Sequence, residues 1–332
     1  MPTNRTFRLA SRPVGLPTRD NWTFAEEPVG EPGDGEVLVG VELLSLDPAM
    51  RGWMNDVPSY IPPVGIGEVM RALGVGRVVQ SNDERFAEGD NVSGPFGIQA
   101  FAVMPADALT KIDTDLAPPE KHLSALGMVG MTAYFGLLDV GKPVGGETVV
   151  VSGAAGAVGQ LVGQIAKVKG CRVVGIAGGP EKCAFVTDEL GFDACIDYKG
   201  SDVGGGLQEH CPKGIDVYFD NVGGEILDAA LANIAKRGRV VICGAISQYN
   251  ATEALKGPAN YLMLLVKHAS MTGFVVFDYA DRYEEGGEQM AQWLADGSVK
   301  ATEDVVEGLE TFPETLLKLF SGENNGKLVL AV

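Results

Sequence analysis

The sequence predicts an α/β protein with two domains, one rich in β-strands and one built on a doubly wound parallel sheet. Three observations support this prediction. The first third of the 332 residues shows short strand patterns and turns but no long helical periodicity. From Thr148 onward, strand and helix patterns alternate, which is the rhythm of βαβ crossovers. A glycine-rich turn follows the first strand of the alternating part, as in dinucleotide-binding folds.

The strand-rich part contains an alternating apolar run at residues 35–46, the pattern of a half-buried strand. Residues 75–79 predict a second short strand, and residues 89–92 predict a turn that leads into another. The pair Pro118-Pro119 interrupts the chain, and residues 120–138 then predict a helix crowded with small residues.

The alternating part predicts strands at residues 148–152, 172–177, 194–198, 216–220, 240–244 and 271–276. Helices are predicted between or after them at residues 157–169, 181–190, 226–234, 283–295 and 313–320. A final strand at residues 327–332 has the composition to return to the first domain and complete it. The sequence shows no internal repeat.

Composition excludes several function classes. The formal net charge of −18 argues against nucleic acid and acidic membranes as partners. No apolar run reaches the roughly 18 residues that a membrane span needs, and residues 1–19 lack the apolar core of a signal peptide. The five cysteines lack C-x-x-C spacing, which is typical of reduced thiols in a cytoplasmic protein: Cys171, Cys183, Cys195, Cys211 and Cys243.

The most informative stretch is the β-branched run 149–151 with the turn Ser152-Gly153-Ala154-Ala155-Gly156-Ala157-Val158-Gly159 after it. Small residues let the backbone approach a pyrophosphate, and the following helix presents unpaired N–H groups at its N-terminus. The spacing is G-x-x-G-x-x-G rather than G-x-G-x-x-G, so an ordinary glycine turn between a strand and a helix is the alternative.

The second strand of the alternating part indicates which dinucleotide is bound. An acid at its end would bind the ribose hydroxyls of NAD, but this strand ends in Ala177-Gly178-Gly179. Glu181 follows, and then Lys182, whose ammonium group is suited to a 2′-phosphate. This pattern favours NADP over NAD. The alternative is that Lys182 is an ordinary solvated lysine on the surface of a helix.

Metal and nucleophilic chemistry are not indicated. The three histidines, His122, His210 and His268, form no ligand motif, and no cysteine precedes Cys171. No Ser-His-Asp arrangement or G-x-S-x-G motif is present. Hydride transfer without a metal remains, and it suits a carbonyl conjugated to a C=C bond. Charge then collects on the carbonyl oxygen, where one or two hydrogen-bond donors stabilise it, and the α-carbon takes its proton from a tyrosine or from water.

Several segments resemble the zinc-free medium-chain dehydrogenase/reductases, the group of prostaglandin reductases, alkenal/one oxidoreductases, plant double-bond reductases and bacterial curcumin reductase. The resemblance extends over almost the whole chain. The matching segments are residues 47–54, 59–64, 66–71, 127–134, 154–159, 218–224, 243–250 and 324–327.

The resemblance implies a GroES-like β domain at residues 1–123 and 298–332 and a Rossmann domain at residues 124–297. It implies NADPH as the coenzyme and an enone or enal as the substrate. The residues that it assigns to the coenzyme, together with the glycine turn, are Met128, Thr132, Gly153, Ala154, Ala155, Gly156, Ala157, Val158, Gly159, Gly178, Lys182, Tyr198, Asn221, Cys243, Gly244, Ala245, Ile246, Phe274, Val275, Val276 and Asn324.

The resemblance also points to three tyrosines as catalytic candidates. Tyr249 corresponds to the tyrosine near the nicotinamide ribose and the substrate oxygen, where it would order the ribose hydroxyl that donates to the enolate. Tyr60 and Tyr261 lie in segments that line the substrate cleft in the family and rank after Tyr249. Each tyrosine has a packing role as its alternative: Tyr249 in the turn after a strand, Tyr60 in a lid and Tyr261 on a helix face.

Two other functions remain open at this point. A quinone reductase of the same fold would use the same residues, because quinones are also conjugated carbonyls. A coenzyme-binding protein without turnover is the second alternative, although the retention of Tyr249, Asn221 and the glycine turn weighs against it. The family is often dimeric, so a homodimer is expected.

Overall fold

The computed structural model describes residues 3–332, which divide into two compact units. One unit comprises the chain up to Leu123 together with Glu303–Val332, and the other comprises Ser124–Thr302. In residues 3–332, no helix has the length and apolar content that crossing a bilayer requires.

The strands are β1 (Thr3–Leu9), β2 (Trp22–Pro28), β3 (Glu36–Ser45), β4 (Gly74–Ser81), β5 (Asn91–Gly94), β6 (Phe101–Pro105), β7 (Thr110–Lys111), β8 (Thr148–Ser152), β9 (Arg172–Ala177), β10 (Ala194–Asp197), β11 (Ile215–Asp220), β12 (Ile234–Ile242), β13 (Ser270–Gly273), β14 (Glu303–Glu307) and β15 (Lys327–Ala331). The helices are α1 (Ala49–Trp53), α2 (Met128–Phe135), α3 (Ala157–Val168), α4 (Pro180–Ala184), α5 (Val203–His210), α6 (Gly224–Ala232), α7 (Met263–Lys267), α8 (Tyr283–Ala295) and α9 (Phe312–Ser321). Two helices continue into wider π-helical turns, α2 through Gly136–Gly141 and α4 through Phe185–Glu189.

The first unit is built on a sheet with the order β14-β15-β3-β4-β5-β7, to which β6 is added beside β3. The final strand β15 pairs antiparallel with β3, so the C-terminal segment returns to this unit as the sequence predicts. Its core includes Leu44 and Leu46 from the chain's start and Phe312 and Leu328 from its end. Burial of these apolar side chains is what joins the two segments.

The second unit contains a six-stranded parallel sheet with the order β10-β9-β8-β11-β12-β13, the doubly wound arrangement that the sequence predicts. Both faces of the sheet are covered, so alternate residues of a strand pack into two different hydrophobic cores. Val149 and Val151 pack into one core, and Val150 packs into the other. The strand order reverses between β8 and β11. In such folds ligands bind in the crevice that this reversal opens at the carboxyl ends of the strands.

The prediction of a single helix at residues 120–138 is wrong. Residues Pro119–Leu123 form a short 3₁₀ turn in the first unit, and α2 begins only at Met128 in the second. Gly127 adopts an extended backbone before α2, and the carbonyl of Ala125 folds back against Gly130, where a Cβ would lie 1.7 Å from that oxygen. The glycines that weaken the helix pattern therefore permit the break.

Other element ends differ from the predictions by a few residues. The strand predicted to reach residue 244 ends at Ile242, and the strand predicted to reach residue 276 ends at Gly273. Both predictions extended strands into the apolar turns that follow them. The helix predicted at residues 181–190 consists of α4 and its π-helical continuation.

The second crossing between the units lies at Thr302 and Glu303, five residues beyond the predicted position at 297/298. Side chains of α3 hold the intervening segment. Gln164 exchanges hydrogen bonds of 2.8 Å with the backbone of Lys300, and Gln160 exchanges bonds of 3.1 Å with the backbone of Thr302. The segment is thereby attached to the parallel-sheet unit.

Candidate active site

The glycine turn joins β8 to α3 at the carboxyl edge of the sheet. Gly153 has a φ of +61°, a conformation that favours glycine, and Gly156 occupies the N-cap position of α3 without a side chain. A Cβ on Gly159 would lie 2.2 Å from the Gly153 carbonyl oxygen. Only a glycine therefore lets the first turn of the helix approach the strand this closely. The amino end of a twelve-residue helix is thus presented beside bare backbone.

Asn221 follows β11 and connects it to the end of β8 across the strand reversal. Its side-chain Nδ2 donates to the Ser152 carbonyl oxygen at 2.7 Å, and its backbone N–H donates to the Ser152 hydroxyl at 2.9 Å. The Ser152 hydroxyl in turn donates to Oδ1 of Asp220 at 3.0 Å. The sequence-predicted Asn221 is therefore held at the mouth of the crevice by the two strands that border it.

Asp220 is a buried carboxyl at the same point. It is 1% exposed, and its Oδ1 accepts four hydrogen bonds, from the hydroxyls of Tyr218 and Ser152 and from the N–H groups of Val222 and Gly223. Burial raises the pKa of Asp220 despite these donors, and burial beside Asp220 also raises the pKa of Tyr218 well above its ordinary value.

The loop after β12 carries Tyr249 and lies against the Asn221 turn. The N–H groups of Cys243 and Gly244 donate to the Asp220 carbonyl oxygen at 2.9 and 3.0 Å. Ile246 donates to the Asn221 carbonyl oxygen at 3.2 Å. The structure therefore brings Cys243, Gly244, Ala245 and Ile246 to the same end of the sheet as Asn221. Burial raises the pKa of the Cys243 thiol to about 12, so at neutral pH this cysteine is a neutral packing group.

The Tyr249 hydroxyl oxygen accepts the N–H of Ala245 at 3.1 Å. A Cβ on Gly244 would lie 3.0 Å from the same oxygen, so the phenol closes tightly over its own loop. This contact is the packing role that the sequence left open for Tyr249. It also fixes the phenol oxygen at one position beside the predicted coenzyme contacts.

The predicted 2′-phosphate region lies after β9 and β10. Gly178 packs so closely under Tyr198 that a Cβ at Gly178 would lie 2.9 Å from the phenol ring. The carboxylate of Asp197 accepts the N–H of Gly179 at 2.7 Å and that of Lys199 at 2.9 Å. These backbone hydrogen bonds hold the pKa of Asp197 below its ordinary value. Lys182, in the first turn of α4, is half-exposed next to this junction.

Met128 and Thr132 lie on consecutive turns of α2, which packs on α3. The Thr132 hydroxyl donates to the Met128 carbonyl oxygen at 2.7 Å, a local bond within the helix. Phe274, Val275 and Val276 follow the end of β13, and the Phe274 ring contacts Phe219 edge-on with centroids 6.4 Å apart. Phe274, Val275 and Val276 therefore lie at the carboxyl end of the edge strand β13.

Three predicted residues lie elsewhere. Tyr60 and Asn324 belong to the first unit. Tyr60 is 56% exposed in the segment between α1 and β4, whereas Asn324 is 8% exposed and donates its amide to the Gly326 carbonyl oxygen at 3.0 Å. Tyr261 is 56% exposed on a short turn that Asn260 attaches to Asp228 of α6. The catalytic roles of Tyr60 and Tyr261 and the coenzyme contact of Asn324 stay predictions.

Two site residues escaped the sequence argument, Asp197 and Asp220. Each is the last residue of a strand and accepts backbone N–H groups two or three positions further on. An aspartate that ends a strand pattern just before a glycine-containing turn is the signal that identifies such a residue. In residues 3–332, no three His, Cys, Asp or Glu side chains are grouped so as to hold a metal ion.

Two family models match the chain. The N-terminal domain of oxidoreductase matches residues 5–112, and the zinc-binding dehydrogenase model matches residues 157–295. Together they cover the strand-rich start of the first unit and most of the parallel-sheet unit.

Curated relatives extend over nearly the whole chain. The NADPH-dependent curcumin reductase of Escherichia coli (strain K12) is 46% identical, over 99% of this chain and 97% of its own. The NADP-dependent 2-alkenal reductase of Nicotiana tabacum is 43% identical, over 90% of this chain and 88% of its own. The crystal structure of CurA in complex with NADPH from Vibrio vulnificus is 45% identical, with a TM-score of 0.94 over 99% of both chains.

Proposed function

This chain belongs to the zinc-free medium-chain dehydrogenase/reductase family of double-bond reductases, and from that premise we propose that it uses NADPH to reduce the C=C bond of α,β-unsaturated ketones and aldehydes. Near full-length similarity to NADPH-dependent reductases, one of which takes 2-alkenals, carries the proposal. The parallel-sheet unit supports it, because its glycine turn, strand reversal and Asn221 have the arrangement that a dinucleotide requires.

The residues present fit NADPH. The pyrophosphate would lie at the amino end of α3, where a Cβ on Gly159 would close the approach and where Gly156 leaves the helix N-cap bare. The net charge of −18 does not favour an anionic ligand, so local N–H groups and placed cations have to bind it. Asn221 and the loop that carries Tyr249 would hold the nicotinamide end.

The 2′-phosphate would be bound beside Gly178 by Lys182 and Tyr198. The Lys182 ammonium group supplies charge, and the Tyr198 ring, 44% exposed, covers the glycine that leads into α4. The N–H groups of Gly179 and Lys199 both donate to Oδ1 of Asp197 and partly offset its negative charge beside the phosphate. We therefore propose that this corner selects NADPH over NADH.

When bound, NADPH supplies the hydride that adds to the β-carbon of the substrate. The chain's task is to orient the substrate carbonyl and to stabilise the negative charge that develops on its oxygen. We propose that Tyr249 does this indirectly, by fixing a ribose hydroxyl as the donor. Its own oxygen is held in place by the N–H of Ala245. Tyr60 and Tyr261 are proposed as substrate contacts, and the α-carbon takes its proton from a tyrosine or from water.

The direct test is NADPH oxidation followed at 340 nm with a simple enone, a quinone and a saturated aldehyde. We expect turnover with the enone, none with the saturated aldehyde, and less with the quinone. Preference for the quinone would support the quinone-reductase alternative. NADPH binding without turnover of any of the three would support a non-catalytic protein. Dialysis against a chelator is expected to leave the rate of enone reduction unchanged. Loss of this activity after dialysis would contradict a zinc-free reaction.

We also propose that the protein is a homodimer that pairs through β13. This strand lies at the outer edge of the parallel sheet, and all four of its residues are exposed. Apolar side chains continue the face beside it, with Leu262, Leu265 and Val266 between 57% and 75% exposed. An edge strand flanked by such a patch is suited to a second copy of the same chain.

Light scattering on the eluting protein tests the dimer. The wild-type protein is expected at twice its chain mass, and Leu265→Asp is expected to shift it toward the monomer. Val14→Asp is the matched control, since Val14 is 87% exposed in the first unit. A wild-type protein that stays monomeric at high concentration would contradict the proposal.

A cytoplasmic location is proposed as well. All five cysteines carry free thiols, which suits a reducing compartment. Fractionation of the producing cell is expected to recover the protein with cytoplasmic markers, and recovery with exported proteins would contradict the proposal.

A further inference from the structure

Asp220 has no role in the site that the sequence predicts, yet its carboxyl accepts two backbone N–H groups of the turn after β11. Its carboxyl is buried, and all four of its hydrogen bonds go to one oxygen, Oδ1, at 2.9–3.0 Å. The other oxygen, Oδ2, is buried and has no hydrogen-bond partner in residues 3–332. The carboxyl is therefore used on one side only, as a carbonyl-type acceptor.

The two backbone donors fix the shape of the turn. Val222 and Gly223 donate from the second and third positions after Asp220, the pattern of an aspartate that closes a turn on itself. Gly223 and Gly224 follow with φ values of +71° and +58°, and α6 begins there. The direction in which Asn221 leaves the sheet is thus set by the Asp220 side chain.

The hydroxyl donor from Ser152 extends this control to β8. The Ser152 hydroxyl donates its single proton to Asp220 Oδ1, with 3.0 Å between the two oxygens, and the hydroxyl oxygen accepts the Asn221 N–H at 2.9 Å. Asp220 therefore orients Ser152, and Ser152 holds Asn221.

The same turn supports the loop that carries Tyr249. The Val222 carbonyl oxygen accepts both the N–H and the hydroxyl of Ser247, the latter at 2.6 Å. The Asp220 carbonyl oxygen accepts the N–H groups at the start of that loop. A change in the turn would move Asn221 and the Tyr249 loop together.

We infer that Asp220 is a positioning residue for NADPH, and that it acts through one acceptor oxygen, Oδ1, rather than through a negative charge. The inference rests on the proposed function in taking NADPH as the ligand. The neutral acid offers the same carbonyl oxygen to its four donors, and so does the side chain of asparagine.

The test compares Asp220→Asn with Asp220→Ala by titration calorimetry with NADPH and by steady-state kinetics on an enone. Asp220→Asn is expected to bind NADPH within about threefold of the wild-type Kd, and Asp220→Ala at least about tenfold more weakly. In Asp220→Ala the KM for NADPH is expected to rise more than kcat falls. An Asp220→Asn variant that binds as poorly as Asp220→Ala would overturn the inference, because charge would then be essential.

A second pair of variants decides the matter even if Asp220→Ala does not fold. Ser152→Ala and Tyr218→Phe each remove one buried hydroxyl donor from the same Oδ1, but only Ser152 also holds Asn221. Ser152→Ala is expected to weaken NADPH binding about fivefold more than Tyr218→Phe does. Equal Kd values of Ser152→Ala and Tyr218→Phe for NADPH would overturn the inference but not the proposed function. A wild-type protein that does not bind NADPH would overturn the proposed function and the inference together.

Discussion

Asn221 donates its side-chain amide to the Ser152 carbonyl oxygen at 2.7 Å, so a side-chain hydrogen bond spans the reversal point of the parallel sheet. β8 and β11 are neighbours there, and the helices that follow them diverge to opposite faces of the sheet. An amide in this position keeps the two carboxyl ends in register at the place where a dinucleotide would cross. The expected behaviour of the enzyme follows from what surrounds this bond.

Coenzyme selection is expected to depend on Lys182. Lys182→Ala removes the charge partner assigned to the 2′-phosphate, so the KM for NADPH should rise by about tenfold or more while the KM for NADH changes little. Steady-state kinetics with both coenzymes measures the two effects. Lys213→Ala is the matched control, because Lys213 is an exposed lysine before the amino end of β11. An equal effect of Lys182→Ala on both coenzymes would refute the assignment.

Turnover is expected to depend on the Tyr249 hydroxyl. Tyr249→Phe removes the oxygen that accepts the Ala245 N–H, and this oxygen belongs to the group that we propose orders the ribose donor. We expect kcat to fall by about tenfold or more and NADPH affinity to change less, since the aromatic ring remains. Tyr134→Phe is the control, because Tyr134 contacts Glu285 of α8 through its hydroxyl. If Tyr249→Phe weakens NADPH binding and leaves kcat intact, Tyr249 acts on the coenzyme alone.

The close approach at the glycine turn is expected to tolerate no side chain. A Cβ in Gly159→Ala would meet the Gly153 carbonyl oxygen, a backbone atom that moves only if the turn moves. The free energy of unfolding should fall by about 1–3 kcal/mol, and NADPH binding should be lost. Gly287→Ala is a matched glycine in α8 with nothing within 4 Å of its new Cβ. It should stabilise the protein by about 0.5–1 kcal/mol. Normal NADPH affinity in Gly159→Ala would place the pyrophosphate elsewhere.

Acid is expected to destabilise the parallel-sheet unit through Glu147. Burial raises the pKa of Glu147, but hydrogen bonds from Arg239 and from the Val144 N–H outweigh that effect and hold it below its ordinary value. A lowered folded-state pKa stabilises the fold above the unfolded pKa of about 4.3, and this stabilisation is lost as the pH falls through the folded value.

Denaturant unfolding of Glu147→Gln at several pH values tests this. The variant should be less stable than the wild type at neutral pH and should lose less stability between about pH 5 and about pH 3. The exposed Glu209→Gln on α5 serves as the control. Parallel acid curves for Glu147→Gln and the wild type would show that another carboxylate is responsible.

The sequence predicts the sheet well where strands are runs of buried β-branched residues. β8 and β9 lie where residues 148–152 and 172–177 predict them, because central strands of a parallel sheet are apolar on both faces. Helix α5 was missed because Gly204, Gly205 and Gly206 oppose a helix by propensity. The residue in the sequence that signals this helix is Asp202, which caps it by accepting the N–H groups of Gly204 and Gly205.

The site was only partly predictable for a related reason. Gly159 was predicted from its residue type and spacing and Asn221 from the resemblance to the family, and their coenzyme contacts stay predictions. Asp197 and Asp220 act by accepting backbone N–H groups from turns, and that role becomes visible only once the turn is folded. The break before α2 likewise depends on where the Ala125 carbonyl packs, which no local pattern shows.

Reduction with NADPH deuterated at the transferring position of the nicotinamide tests the central claim most directly. With a simple enone as substrate, we expect the product to be the saturated ketone with one deuterium on the β-carbon, located by NMR and counted by mass spectrometry. An unsaturated alcohol with deuterium on the former carbonyl carbon would contradict hydride addition to the C=C bond, as would a reduced product that carries no deuterium.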